Sequence, residues 1–222
     1  MKVIGLVGGV ASGKSTVAQW LSEQGAAVVD ADRLGHEALR QPAVVGALVA
    51  RWGASVRAAD GQIDRAAVAA KVFGDSPEAA QERRFLEQIV HPRIRALAEA
   101  ALRQAAADGR TAAVLDAPLL LEAGWDVLCD LILWIDAPAD QRARRGAARG
   151  WTPAQFAARE AAQLPIDQKK ARASHCLPNA GTLSELRARL TQFWEQAVLG
   201  HGGGALPPNA ELPTPFGEDC LP

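Results

Sequence analysis

With 222 residues, a hydrophobic fraction of 49%, a charged fraction of 22% and a formal net charge of -1, the chain has the composition of an ordinary globular protein with room for one sizeable α/β domain. The near-neutral balance argues against a general nucleic-acid or anionic-membrane binder. No apolar run is long enough to span a bilayer and the start carries no basic leader, so the expected location is cytoplasmic. The three cysteines, Cys129, Cys176 and Cys220, have no C-x-x-C spacing and read as free thiols.

Lys2 to Val7 reads as a short buried strand that leads into G-x-x-x-x-G-K-S from Gly8 to Ser15. Thr16 to Gln24 then carries Val17, Trp20 and Leu21 at helical spacing. Strand, glycine-rich loop and helix in this order make a phosphate-binding loop. Backbone N–H groups turn inward around a polyphosphate, and the new helix presents its positive end to the same anion. Lys14 is expected to reach the β- and γ-phosphates, and the Ser15 hydroxyl to sit on Mg²⁺.

A second strand, Ala26 to Val29, ends in Asp30-Ala31-Asp32. Strands alternating with helices predict a parallel, doubly wound sheet, whose ligands lie beyond the carboxyl ends of the strands. Both acids therefore leave the sheet at the active edge, and one of them is an N-cap candidate for the helix from Arg33 to Leu39. Gln41 to Gly109 is mostly helical, with breaks at Gly53, Asp60-Gly61 and Asp75-Ser76-Pro77, and a kink or break expected at His91-Pro92. Thr111 to Leu115 and Leu131 to Ile135 are the third and fourth strands. The basic run Gln141 to Arg149 follows, then a capping box at Thr152, a short strand at His175 to Pro178, and a final helix opened by a second capping box at Thr182. Gly200 to Pro222 shows no periodicity and reads as a disordered tail.

A phosphate loop alone does not choose among kinases, GTPases, ATPases and motors. No K-x-D occurs, so guanine reading has no visible basis, whereas Asp32 and the arginines after Gln141 offer a base and a cationic lid for a small-molecule kinase. At this point the chain closely resembles the dephospho-CoA kinase family. The shared pieces are GLVGGVASGKST, VVDADRLGHE, ADGQIDR, LEQIVHPRIR, DAPLLLE, QLPIDQKKARA and NAG, spread over residues 1 to about 198.

The resemblance implies a three-layer phosphate-loop kinase fold: a parallel doubly wound sheet, a helical acceptor-binding insertion at about 35–109 and an Arg-rich lid at about 140–172, within a domain of residues 1–199. It implies transfer of the ATP γ-phosphoryl group to the ribose 3′-hydroxyl of dephospho-CoA, with no nucleic-acid, membrane or obligate protein partner. By the same resemblance Asp32 is the general base, and Ala11, Ser12, Gly13, Lys14, Ser15 and Thr16 form the ATP loop. His91, Pro92, Leu119, Leu120 and Glu122 line the acceptor side, Arg145 and Arg149 belong to the lid, and Asn179 lies near the adenine. Val10-Ala11 departs from the family's common Ile-Gly, and a positive φ at position 11 would cost alanine about 1 kcal/mol. The rivals are another small-molecule or nucleotide kinase with the same loop, and a non-catalytic ATP-binding regulator.

Overall fold

The structure, a computed structural model, describes residues 1–74 and 76–200. The expected tail therefore lies, apart from Gly200, outside the described residues. Five strands, β1 (Lys2–Gly8), β2 (Ala27–Asp30), β3 (Ala112–Asp116), β4 (Leu131–Asp136) and β5 (His175–Pro178), form one sheet in the order β2-β3-β1-β4-β5. The pairs β1–β3, β1–β4 and β4–β5 are parallel, with Leu6 opposite Asp116 and Gly8 opposite Ile135. The fold is thus the three-layer phosphate-loop kinase fold. The interiors of β1 and β4 are buried throughout, as continuous apolar strands covered on both faces must be.

The chain divides into two compact units, one of Met1–Val29 with Gln104 onwards, the other of Asp30–Arg103. The first contains α1 (Lys14–Glu23), and the later helices, numbered here by their place in the whole chain, are α6 (Ala139–Ala148), α7 (Pro153–Ala161), α8 (Ile166–Ala171) and α9 (Leu183–Phe193). Its core joins Ile4, Leu6, Leu133 and Ile135 of the sheet to Val17 and Leu21 of α1 and to Leu186, Leu190 and Phe193 of α9. Trp20, Trp125, Trp134 and Trp194 are all buried, as core residues. Both expected capping boxes form, Thr152 with Gln155 and Thr182 with Glu185.

The second unit is helical: α2 (Ala31–Ala38), α3 (Pro42–Trp52), α4 (Arg65–Val72) and most of α5 (Pro77–Ala107), within which the boundary falls. Val44, Leu48, Val56, Val68, Val72 and Val90 form its core. Asp64 caps α4 through the N–H groups of Ala66 and Ala67, and Ser76 caps α5 through Ala79 N–H at 3.1 Å. Of the kink or break expected at His91-Pro92, the break does not occur: α5 runs through Pro92, and His91 lies inside the helix rather than at its end. An interior proline costs about 3 kcal/mol. The buried Val90 and Ala98 on either side of it, with Leu86, Ile89, Ile94 and Leu97 half-buried, hold the helix together across the lost hydrogen bond.

Cys129 carries a free thiol, which burial, with Asp126 and Asp130 nearby, pushes up to about 12. The expectation for Cys220 lies outside the described residues. No helix among the described residues is long and apolar enough to cross a membrane.

Candidate active site

In the sheet order, β1 is central: the chain leaves it through α1 toward β2 on one side and later crosses to β4 on the other. The crevice beyond the carboxyl end of such a strand is where open α/β sheets bind ligands. The segment from Gly8 to Lys14 occupies that position. Gly13 is the N-cap of α1 with φ 104°, a left-handed conformation that glycine adopts without strain, and it offers no side chain to cap the helix. The first N–H groups of α1 therefore face the loop without a side-chain partner, which suits an anion. Ala11 takes φ 59°, the one non-glycine residue with positive φ among those described, so this alanine bears the strain foreseen for it.

Three groups fix the loop from outside. The carbonyl of Ser12 accepts Asn179 Nδ2–H at 2.7 Å and Arg145 Nη1–H at 3.1 Å, while Arg145 Nη2 also donates to the Asn179 carbonyl at 3.0 Å. Asn179 N–H is itself anchored to the Asp136 carbonyl at 2.6 Å, at the end of β4. On the other flank Arg142 is buried and donates to the carbonyls of Ala137 (3.2 Å) and Val10 (3.4 Å), and it pairs with Glu160 of α7. Gly9 permits this approach: a Cβ there would stand 2.8 Å from Arg142 Nη1. Inside the loop Ser12 Oγ is buried with no hydrogen-bond partner among the described residues.

Lys14 Nζ–H donates to the Gly8 carbonyl at 3.4 Å. Burial pushes its ammonium below a lysine's ordinary value. Asp116 and Glu122 pull it back up, and Lys169 and Arg149 push it further down. Glu122 is tied by Leu164 N–H at 2.7 Å and by Lys169 Nζ at 3.2 Å. Its own burial works to raise its carboxyl, but these partners outweigh it and hold the group below its usual range.

Leu120 is 1% exposed and belongs to the core beneath β1, whereas its neighbour Leu119 is 42% exposed. Arg149 ends α6 and is exposed, its guanidinium 5.6 Å from the Trp151 ring centre. Ser15 and Thr16 are exposed in the first turn of α1. Lys14, Ser12, Asn179, Arg145 and Glu122 are thus brought together in the first unit.

Asp32, His91 and Pro92 lie in the second unit, all exposed, in the first turn of α2 and the interior of α5. Asp30 is the N-cap of α2, its carboxylate accepting Arg33 N–H at 3.1 Å. Arg142, expected within the basic lid run, is instead a buried support of the loop, and Lys169, half of a Lys-Lys pair in the sequence, carried no expectation; only the fold buries them.

No group of three or more His, Cys, Asp or Glu among the described residues could hold a metal by itself. The orphaned Ser12 hydroxyl, the uncapped start of α1 and the accompanying lysine and arginines suit a polyphosphate.

The dephospho-CoA kinase family model matches residues 2–185. A dephospho-CoA kinase from Symbiobacterium thermophilum is 43% identical over 207 residues, covering 91% of this chain and 84% of its own length. One from Anaeromyxobacter dehalogenans is 43% identical over 212 residues, covering 95% and 98%. Among solved structures, TT1252 from Thermus thermophilus superimposes with a TM-score of 0.73 at 34% identity, over 91% of this chain and 98% of the other.

Proposed function

The chain belongs to the dephospho-CoA kinase family, and on that premise we propose that it transfers the γ-phosphoryl group of ATP to the ribose 3′-hydroxyl of dephospho-CoA, giving CoA and ADP. The observation that carries this reading is the family match across residues 2–185 with an intact phosphate loop at its start.

Phosphoryl transfer passes through a loose transition state with charge spread over the equatorial oxygens, so positioning and cationic stabilisation dominate. The loop from Ala11 to Thr16 holds the ATP phosphates through backbone N–H groups, with Lys14 turning from the Gly8 carbonyl to the phosphate oxygens. Asn179 and Arg145 keep the loop in shape by holding the Ser12 carbonyl. Ser15 Oγ would hold Mg²⁺ on the protein side, and the ion would neutralise phosphate charge.

Asp32 orients the acceptor hydroxyl and takes its proton, and His91, Pro92, Leu119 and Glu122 belong to the acceptor side. Leu120 supports that side from the core. Arg149, exposed at the end of α6, closes over the transferring group with Arg145. Cytoplasmic location, and independence of nucleic acid, membrane and obligate protein partners, are part of the same reading.

The test is ADP release with ATP and Mg²⁺ in the presence of dephospho-CoA, adenylate, shikimate or no acceptor. Turnover confined to dephospho-CoA, with phosphate on the 3′ oxygen, is the expected result. Preference for adenylate or shikimate would make the chain a different kinase, and ATP binding without turnover would make it a regulator.

Lys14 gives a second expected result. Its folded pKa is depressed by burial, and a bound polyphosphate favours the ammonium form and raises it again. Nucleotide binding therefore takes up protons between the two values. Above about pH 8 the γ-phosphate has already lost its last proton and contributes no opposing signal. Titration calorimetry in buffers of different ionisation enthalpy should show uptake that grows as the pH rises; no uptake would mean that Lys14 is fully charged before ATP arrives.

A further inference from the structure

A seam and a cavity adjoin the phosphate loop, and Lys169 lines both. The smaller, bounded by Gly8, Lys14, Leu120, Glu122 and Lys169, is a closed seam without room for a water molecule. The larger, of about 260 Å³, is bounded by Gly9, Val10, Arg142, Glu160, Gln163 and Lys169 among others. Lys169 is only 2% exposed. Lysine is almost never buried so completely unless its charge is matched. Its ammonium group donates to Gln163 Oε1 at 2.8 Å and pairs with Glu122 Oε1 at 3.2 Å, contacts that use at most two of its three N–H donors.

Glu122 is a shared partner. The same oxygen accepts Leu164 N–H, and Glu122 lines the same seam as Lys14. Lys14 and Lys169 line this one seam with Glu122, and the Lys169 charge bears on the Lys14 ammonium. Like charges held together out of water repel one another strongly, and an arriving polyanion removes that cost.

We propose that Lys169 is a second phosphoryl-binding cation of this kinase, donating beside Lys14 to an oxygen of the migrating phosphoryl group. The inference rests on the kinase reading above and adds to it a catalytic residue on α8. In the step concerned, the bond between the γ-phosphorus and the β–γ bridging oxygen breaks with its electron pair left on ADP, and a bond from the acceptor oxygen to phosphorus forms. The hydroxyl proton passes to the Asp32 carboxylate. Lys169 gains and loses no proton. It stabilises the charge on the equatorial oxygens while Gln163 and Glu122 hold its stem and head in place.

The experiment compares Lys169→Met, Lys169→Gln and Lys169→Arg with the wild-type chain. Three quantities are read: melting temperature, turnover, and affinity for ADP with and without aluminium fluoride, which with ADP mimics the planar phosphoryl group in flight. The methionine and glutamine variants should lose about 10²–10³-fold in turnover, the usual loss for one transition-state donor. ADP affinity should stay within a few-fold of wild type, while affinity for ADP–aluminium fluoride falls by the same large factor as turnover. Arginine should restore part of both. The glutamine variant keeps the test available if methionine does not fold.

Equal losses for ADP and for ADP–aluminium fluoride would mean that Lys169 only pins the link between α7 and α8, and would overturn the proposal. So would turnover within a few-fold of wild type. The aluminium fluoride comparison needs no acceptor, so it judges Lys169 even if dephospho-CoA proves to be the wrong one. A wild-type chain that turns over no acceptor and gains no affinity from aluminium fluoride overturns both readings.

Discussion

Asp32→Asn is expected to lower turnover by about 10²–10⁴-fold while leaving ATP affinity nearly unchanged, the range for loss of a positioned general base. The substitution preserves shape and one acceptor oxygen but removes the charge and the basicity. Asp32 lies two residues beyond β2, in the first turn of α2, at the kind of strand end where such sheets place their chemistry. Asp30 provides the internal control. Its carboxylate caps α2 through Arg33 N–H, so Asp30→Asn should cost at most about 1 kcal/mol of stability, since asparagine is itself a good cap, with little change in turnover. Steady-state kinetics and ATP titration on the two variants decide the matter. If Asp30→Asn collapses and Asp32→Asn does not, the base has been assigned to the wrong carboxylate.

Arg145→Ala should lower turnover by about 10³-fold, the scale of an arginine that meets transition-state charge. Its hydrogen bonds within the chain add a second effect. The guanidinium donates to the Ser12 and Asn179 carbonyls and to Gln141 Oε1, so its removal also loosens the loop and raises the ATP dissociation constant, although Asn179 Nδ2 still holds Ser12. Arg145→Lys should not rescue, because one ammonium group cannot reproduce a planar fork reaching two carbonyls and a phosphoryl oxygen. Arg149 is exposed beside Trp151 and touches no loop carbonyl, so Arg149→Ala should reduce turnover without altering ATP affinity. Measured turnover and ATP affinity for all three variants test this; a lysine variant within a few-fold of wild type would reduce the role of Arg145 to bulk charge.

The features that could be read before folding are those decided by near neighbours. The phosphate loop is one: its glycines, Lys14 and Ser15 act within a strand–loop–helix unit whose geometry depends on backbone conformation. The capping boxes at Thr152 and Thr182 and the cap at Asp30 are others, since each is a hydrogen bond spanning three residues. The apolar runs that became β1, β3 and β4 are likewise local, because a strand buried on both faces needs apolar residues at every position.

Other features were settled only by distant contacts. Helix α5 continues through Pro92 because its buried face on either side outweighs a local penalty. Leu119 and Leu120 are indistinguishable as letters, yet one is exposed and the other lies under β1. Arg142 and Lys169 become interior cations because the sheet order brings α6, α7 and α8 against the loop, and a buried charge persists only where partners such as Glu160, Glu122 and Gln163 meet it. Asn179 reaches Ser12 across 167 residues of sequence. Local spacing carries no information about such a contact; it arises when β5 takes its place beside β4 and turns the end of that strand toward the loop.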